Sequence, residues 1–241
     1  MVAFEKLFRA PYGVPNALER IDDKLWIADQ ISGRLALVDI AEPEQAAPGH
    51  GAYGDTFRRR EIPTDGSNIS GMARGGDALW VASNGPGTLW RPLHPADAGA
   101  GSGVILQVHP QSGQTLMRRP VPGGGGVHGI EYDHVEPGHL WITTLGQKTL
   151  TKVRTTDWEI LHTIPLPYVR AHGVVCTQKG AWVVHTADRV IVHLDLADGR
   201  ELGRIDVPAS EPEPHGLCDW GHGELAYCDA TSGWIVRIHG I

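Results

Sequence analysis

Cysteine is scarce in this 241-residue sequence, and the three present, Cys176, Cys218 and Cys228, are odd in number and lack metal-ligand spacing. That argues against a disulfide framework and fits reduced thiols acting as small buried strand residues in a reducing compartment. No apolar run approaches the roughly 18 residues of a membrane-spanning helix, so no membrane partner is expected. The opening Met1-Val2-Ala3-Phe4-Glu5-Lys6 has neither the apolar core nor the small-residue cleavage site of a secretory signal, and a cytoplasmic protein is expected. Basic charge is thin as well. The formal net charge is −7 with acids and bases interspersed, which provides no basic stripe for phosphates and argues against a nucleic-acid partner. The one basic cluster, Arg58-Arg59-Arg60, is short and strand-like and reads as a charged edge that guards against aggregation. There is no Gly-x-Ser-x-Gly elbow and no nucleophile with an evident paired base. Gly123-Gly124-Gly125-Gly126 is no phosphate loop, because no helix follows it.

What is abundant points one way. The chain has 31 Gly, 17 Pro and 8 Trp within an ordinary globular composition of 41% hydrophobic and 20% charged residues. Many tight turns between short strands with periodic aromatics are expected, and long helices are not. One unit recurs five times. Its copies run from Pro15-Asn16-Ala17-Leu18 to Leu25-Trp26-Ile27-Ala28-Asp29, from Ile69-Ser70-Gly71-Met72 to Leu79-Trp80-Val81-Ala82-Ser83, and from Val127-His128-Gly129-Ile130 to Leu140-Trp141-Ile142-Thr143-Thr144. The fourth joins Ala171-His172-Gly173-Val174 to Ala181-Trp182-Val183-Val184-His185, and the fifth Pro214-His215-Gly216-Leu217 to Leu225-Ala226-Tyr227-Cys228-Asp229.

Each copy continues into a third strand, at 34–40, 104–109, 149–154, 190–196 and 234–239, and the first four into a fourth, at 59–63, 115–121, 159–164 and 201–207. Four strands per repeat, at 40 to 50 residues each, specify an all-β, five-bladed β-propeller filling residues 1–241 as one domain. The last copy is one strand short. Phe4 to Arg9 is expected to supply it, pairing the two chain ends and removing an exposed edge. Insertions at 41–56 and 91–103, rich in Gly, Ala and Pro, read as surface loops.

The first strand of every blade lines the central tunnel, so equivalent positions form a ring. Alignment on the second-strand aromatic puts Asn16, Ser70, His128, His172 and His215 there. All five are polar, and each histidine precedes a glycine that permits close backbone approach. The closing position of the second strand yields a further polar set: Asp29, Ser83, Thr144, His185 and Asp229. These read as outer ligands or as groups orienting the inner histidines. In the fourth blade both positions are histidine.

The pattern therefore nominates His128, His172 and His215, with His185, as ligands of a divalent transition metal: zinc, iron, manganese or copper. The bland alternative is histidines that only hydrogen-bond across a hydrated tunnel, or a His-Gly turn duplicated with the blade. Asn16 and Ser70 break the histidine pattern yet keep its polarity, which favours a shared site. Glu213 and Arg170 lie two residues before His215 and His172, so both are candidates for the tunnel mouth, Glu213 with a catalytic role alongside His172 and His185. Asn16, Ser70, Asp29, Asn84, Thr144, Arg170 and Asp229 are candidate substrate contacts, with Gln30, Asn68 and Lys148 near the entrance. Glu19, Glu131, Asp133 and Asp219 follow the ring positions and point into blades or toward the far end. The repeated tryptophans read as packing between blades.

The tunnel-strand start, as in Pro214-His215-Gly216-Leu217, and the Leu-Trp-(Ile/Val)-Ala-(Asp/Ser) strands at Leu25 to Asp29 and Leu79 to Ser83 resemble a broad propeller superfamily. It includes virginiamycin B lyase, the gluconolactonase/regucalcin-like enzymes and NHL-type propellers. The resemblance implies a divalent ion on the tunnel axis and acid/base chemistry on lactones and cyclic esters, with His128, His172 and His215 matching the lyase's His-Gly motif. Five blades in place of six or seven, and no acidic ligand set, depart from those patterns and favour a nitrogen-preferring metal over magnesium or calcium. The expected function is a metal-dependent lyase or hydrolase cleaving a lactone, ester or C–O bond of a small-molecule substrate. A non-enzymatic binding scaffold, and an iron- or copper-dependent oxidoreductase on the same histidines, are the alternatives.

Overall fold

The computed structural model describes residues 2–44, 56–86 and 91–241, which form strands, turns and bends with no helix among them. The strands make five separate four-stranded antiparallel sheets, one per sequence repeat. The first blade holds β2 (Pro15–Ile21), β3 (Lys24–Asp29), β4 (Arg34–Glu44) and β5 (Thr56–Pro63). The second holds β6 (Ile69–Gly75), β7 (Ala78–Asn84), β8 (Gly103–Val108) and β9 (Thr115–Pro120). The third is β10 (Val127–Tyr132), β11 (His139–Thr144), β12 (Thr149–Arg154) and β13 (Ile160–Pro165). The fourth is β14 (Ala171–Thr177), β15 (Gly180–His185), β16 (Val190–Leu194) and β17 (Glu201–Asp206). In the fifth, β18 (Leu217–Gly221), β19 (Glu224–Cys228) and β20 (Trp234–His239) are completed by β1 (Ala3–Arg9), with Ala3 opposite His239 and Arg9 opposite Trp234.

The hairpins follow from turn chemistry. Between β6 and β7, Gly76 and Asp77 both take positive φ (60° each), the conformation whose twist matches the flanking strands. Alternating residues then bury one side of each sheet against the next blade. The core accordingly divides into five clusters, one per blade interface. Trp26 packs with Met72 and Leu79 between blades one and two, Trp80 with Ile130 and Tyr132 between two and three, and Trp141 with Val174 and Ala181 between three and four. Trp182 is half-buried against the fourth interface, and Phe8 of β1 joins the fifth, where Ala226 replaces the tryptophan. The repeated aromatic is therefore a spacer between sheets, as its period implies.

Two details depart from the expected boundaries. β4 runs on to Glu44 and β5 starts at Thr56, so the first insertion is partly strand; residues 45–55 lie outside the described residues. In the second insertion, residues 87–90 lie outside them as well, and the remainder is pinned by Arg91, which pairs with Asp97 and donates to the Gly66 carbonyl at 2.8 Å.

Candidate functional site

The ring positions are displaced from ordinary strand geometry. The pairing register slips by one residue between Pro15 and Ala17, Ile69 and Gly71, Val127 and Ile130, and Ala171 and Val174, so Asn16, Ser70, His128 and His172 all sit in β-bulges. In the fifth blade His215 N–H donates to the Cys228 carbonyl and Cys228 N–H to the Gly216 carbonyl, the same two-against-one arrangement. A bulge bends its strand and re-aims a side chain, and here it happens at one level of all five blades.

The glycine after the ring position in blades two to five has a steric reason. A Cβ on Gly129 would lie 1.8 Å from the His172 carbonyl oxygen, one on Gly71 2.1 Å from that of His128, and one on Gly173 2.2 Å from the Leu217 nitrogen. The innermost strands thus pack backbone against backbone around the axis. Below the ring the axis is all but closed: the space among Leu18, Met72, Ile130, Val174 and Leu217 is about 10 Å³, at the lower limit for one water. The expected tunnel is therefore blocked on one side of the histidine ring, which makes that end of the axis a cup and not a through-channel.

At the floor of that cup three imidazoles from three blades stand in a row. The His128 and His172 ring centroids are 4.0 Å apart at 45°, and those of His172 and His215 5.0 Å apart at 83°. His172 is buried and neither of its ring nitrogens has a hydrogen-bond partner; His128 Nδ1 and His185 Nε2 are likewise buried and unpartnered. Such orphans are rare in folded proteins and carry a desolvation cost of about 1–3 kcal/mol each. Burial holds all four imidazoles in the neutral form. It pushes His128 down to about 4, helped by the positive charge of Arg170, and lowers His172, His185 and His215 from the ordinary histidine value.

His215 is the best anchored of the row. Its Nδ1 lies 3.2 Å from the Glu213 carbonyl, and its Nε2 lies 3.7 Å from a Glu213 carboxylate oxygen. Glu213 also borders an open rim cleft of about 420 Å³ shared with Arg189, Glu211 and Asp229. His185 pairs with Ala171 on the neighbouring strand, with Nδ1 3.4 Å from the Val169 carbonyl and its ring against Tyr168, centroids 5.3 Å apart. Tyr168 carried no repeat signal and escaped the sequence reading.

The other nominated residues divide by how their polar atoms are used. Asn16 is buried with Oδ1 unpartnered. Ser70 Oγ donates to the Val127 carbonyl at 2.8 Å, and Asn84 Nδ2 donates to Ser70 Oγ and to Val127 O at 2.9 and 2.7 Å, so this pair ties blade two to blade three. Asp29 accepts from Ser32 N at 2.8 Å and Val14 N at 3.3 Å. Asp229 accepts from Thr231 N at 2.8 Å and Ser232 Oγ at 2.5 Å, and Thr144 Oγ1 meets Thr149 Oγ1. These three close the turns that follow their strands. At the entrance Gln30 Nε2 donates to Asn68 Oδ1 at 2.6 Å, while Lys148 caps a hairpin whose carbonyl accepts from Leu166 N–H. Arg170 is exposed at the lip with φ 51°.

At the opposite end of the axis, Glu19, Glu131, Asp219, His134 and Cys176 border a separate cavity of about 410 Å³. Burial raises Glu19 to about 8 and lifts Glu131 well above the usual carboxylate range, each also held up by neighbouring carboxylates.

No protein-family model matches the chain, and no curated protein matches its sequence. Solved structures share its fold. The glutaminyl cyclase of Myxococcus xanthus superposes with a TM-score of 0.64 at 15% identity, covering 98% of this chain and 95% of that one. The β-propeller domain of Myceliophteria thermophila Cps50 (Swd1) gives 0.51 at 12% identity over 99% and 100%, and a protein of unknown function from Bacteroides caccae 0.53 at 12% over 89% and 70%. At these identities the likeness concerns the fold.

Proposed function

We propose that the histidine cup is an active site, in which neutral imidazoles move protons during cleavage of a lactone, ester or C–O bond in a small organic substrate. The observation that carries this reading is the row of His128, His172 and His215, with both nitrogens of the central ring buried and unpartnered. A neutral imidazole is a competent general base near pH 7, and a dead-end, largely desolvated cup favours proton transfer over exchange with bulk water. His172 takes a proton from the attacking water, or from the carbon beside the carbonyl in an elimination, and returns that same proton to the leaving oxygen. His215, its ring oriented by the Glu213 carbonyl and its Nε2 3.7 Å from the Glu213 carboxylate, holds the substrate oxygen. A glutaminyl cyclase shares the fold over nearly the whole of both chains, so an enzyme fits on a propeller of this size.

A divalent transition metal belongs to the same proposal. The donor chemistry fits, because His128, His172 and His185 all present neutral, orphaned nitrogens. Among the described residues, however, no three His, Cys, Asp or Glu side chains are gathered around one point as they stand. An ion held by these rings would supply Lewis-acid polarisation of the scissile carbonyl.

The test uses tag-free protein, its metal content by mass spectrometry, and hydrolysis of p-nitrophenyl acetate and γ-butyrolactone by the native chain, His172→Ala and His215→Ala. Loss of turnover by at least about 100-fold in His172→Ala is expected for an acid/base group. Turnover unchanged in both variants sinks the active-site reading; substoichiometric metal in the native chain sinks only its metal component.

A further inference from the structure

The segment that delivers His215 to the cup is poor in backbone donors. It runs Val207-Pro208-Ala209-Ser210-Glu211-Pro212-Glu213-Pro214, between β17 and the fifth blade, and its three prolines carry no N–H. Its carbonyls must therefore be met from outside the segment. Most are met by the turn that follows His185 and leads into β16. Arg189 Nη2 donates to the carbonyls of Pro208 at 2.9 Å, Glu211 at 2.6 Å and Pro212 at 3.3 Å, and its Nε to that of Val207 at 3.3 Å. In the same turn Thr186 Oγ1 donates to the Pro214 carbonyl at 2.8 Å. Val207 N–H returns a bond to the Arg189 carbonyl at 2.8 Å, and from the fifth blade Tyr227 Oη donates to the Pro212 carbonyl at 3.0 Å. Arg34, Arg154 and Arg237 pair with carboxylates, whereas Arg189 has only main-chain partners among the described residues. A planar guanidinium can reach several carbonyls at once, which an ammonium on a single flexible stem cannot.

The consequence appears one residue beyond the clamp. Glu213 follows Pro212 and touches His215 twice, its carbonyl 3.2 Å from Nδ1 and its carboxylate 3.7 Å from Nε2. From the other side the Ala230 N–H approaches the same Nδ1 at 3.4 Å. A neutral imidazole cannot satisfy both: the carbonyl needs the proton on Nδ1, the amide needs Nδ1 bare and the proton on Nε2. The two distances differ so little that the exact seat of the Glu213 carbonyl decides between them.

We propose that Arg189 is a positioning residue for His215: by clamping residues 207–212 it seats the Glu213 carbonyl, and so fixes both the aim of the His215 ring and which of its nitrogens carries the proton. Its bearing on turnover rests on the reading of the cup as an active site; the clamp itself does not. Arg189 touches no ring of the row and acts only through the segment it holds.

The experiment records the imidazole nitrogen resonances of the native chain, Arg189→Met, Tyr227→Phe and Arg200→Gln, with p-nitrophenyl acetate turnover of each and of His215→Ala. The native chain is expected to hold His215 in one tautomer, and Arg189→Met to shift the ratio by roughly tenfold, as for the loss of one hydrogen bond. His162 and His239, on β13 and β20, keep their resonances. Tyr227→Phe loosens the same segment while keeping its ring, shifts the ratio in the same direction, and carries the test if Arg189→Met does not fold. Arg200→Gln, which loses only a bond to Asp195, leaves His215 unmoved. In Arg189→Met kcat is expected to fall about 10- to 100-fold with KM held within about twofold, the pattern of a misaimed group and not of lost binding. An unchanged His215 tautomer, or equal shifts at His162 and His239, would overturn the proposal. So would native turnover in Arg189→Met where His215→Ala has lost it, and that result leaves the active-site reading standing. A shifted tautomer with turnover intact in both Arg189→Met and His215→Ala upholds the clamp and removes His215 from the chemistry.

Discussion

Replacing Gly129 with alanine tests whether the blades really meet backbone to backbone at the axis. The added Cβ would sit 1.8 Å from the His172 carbonyl oxygen, 3.0 Å from its carbon and 2.8 Å from Val174 Cγ2, where real Cβ atoms do not come within 3.0 Å. Relief needs a shift of more than an ångström, and the obstacle is backbone, so no rotamer change provides it. The neighbouring strand cannot retreat freely either, since Gly173 is itself against Leu217 of the next blade. Overpacking typically costs about 1–3 kcal/mol, and this position belongs at the upper end. At roughly 2–4 °C per kcal/mol for a chain of this size, Gly129→Ala is expected to lower Tm by about 6–12 °C. Gly203→Ala is the control: it has nothing within 4 Å and no positive φ, and it is expected to be neutral or slightly stabilising. Urea unfolding and calorimetry on both variants decide the matter. If Gly129→Ala falls within about 1 kcal/mol of Gly203→Ala, the close-packed axis is wrong.

Two further outcomes follow from buried charge. Glu19 and Glu131 hold their protons in the folded state well above the usual carboxylate range, near 8 for Glu19, whereas the unfolded chain releases them near 4.5. The stability that these two carboxyls contribute is therefore fully present below about 4.5 and is lost as pH rises toward 8. Glu131→Gln is expected to flatten that decline in urea midpoints measured at pH 5 and pH 8, and an unaltered slope refutes the assignment. On the outer side, Lys152 Nζ lies 2.9 Å from Asp133, whose carboxylate also accepts from Trp141 Nε1 at 3.0 Å. Lys152→Met leaves that carboxylate buried without its cation and is expected to cost about 3 kcal/mol, part of it recovered in the Asp133→Asn double variant; additive losses would contradict a coupled pair.

The architecture was legible because each blade repeats the same Leu-Trp strand and because the aromatic spacer must recur wherever two sheets face each other. The five-fold register followed, as did the missing strand supplied by Phe4 to Arg9. Strand ends were less legible: β4 continues past Ile40 through Ala41-Glu42-Pro43-Glu44, where apolar alternation has stopped and only backbone pairing with β5 continues. The histidine row was visible in outline, since equivalent positions of a closed ring must converge. The bulges that aim it were not, because an extra residue in one strand shows only against its partner. Asp29, Thr144 and Asp229 have the position of outer ligands, and a carboxylate or hydroxyl at a strand end is equally suited to closing the next turn, as the bonds of Asp29 to Ser32 N and of Asp229 to Thr231 N show. Tyr168 had no counterpart in other blades and hence no period to reveal it.

The pairing of β1 with β20 joins side chains as far apart in sequence as Glu5 and His239, 234 positions. On a ribosome that distance becomes time. β1 emerges early and has no partner until β20 leaves the exit tunnel, so four blades can assemble while the ring still gapes and the hydrophobic flank of Leu18, Leu25 and Ile27 awaits its cover. The histidine row draws on blades three, four and five, so it too is completed only when the last blade is in place.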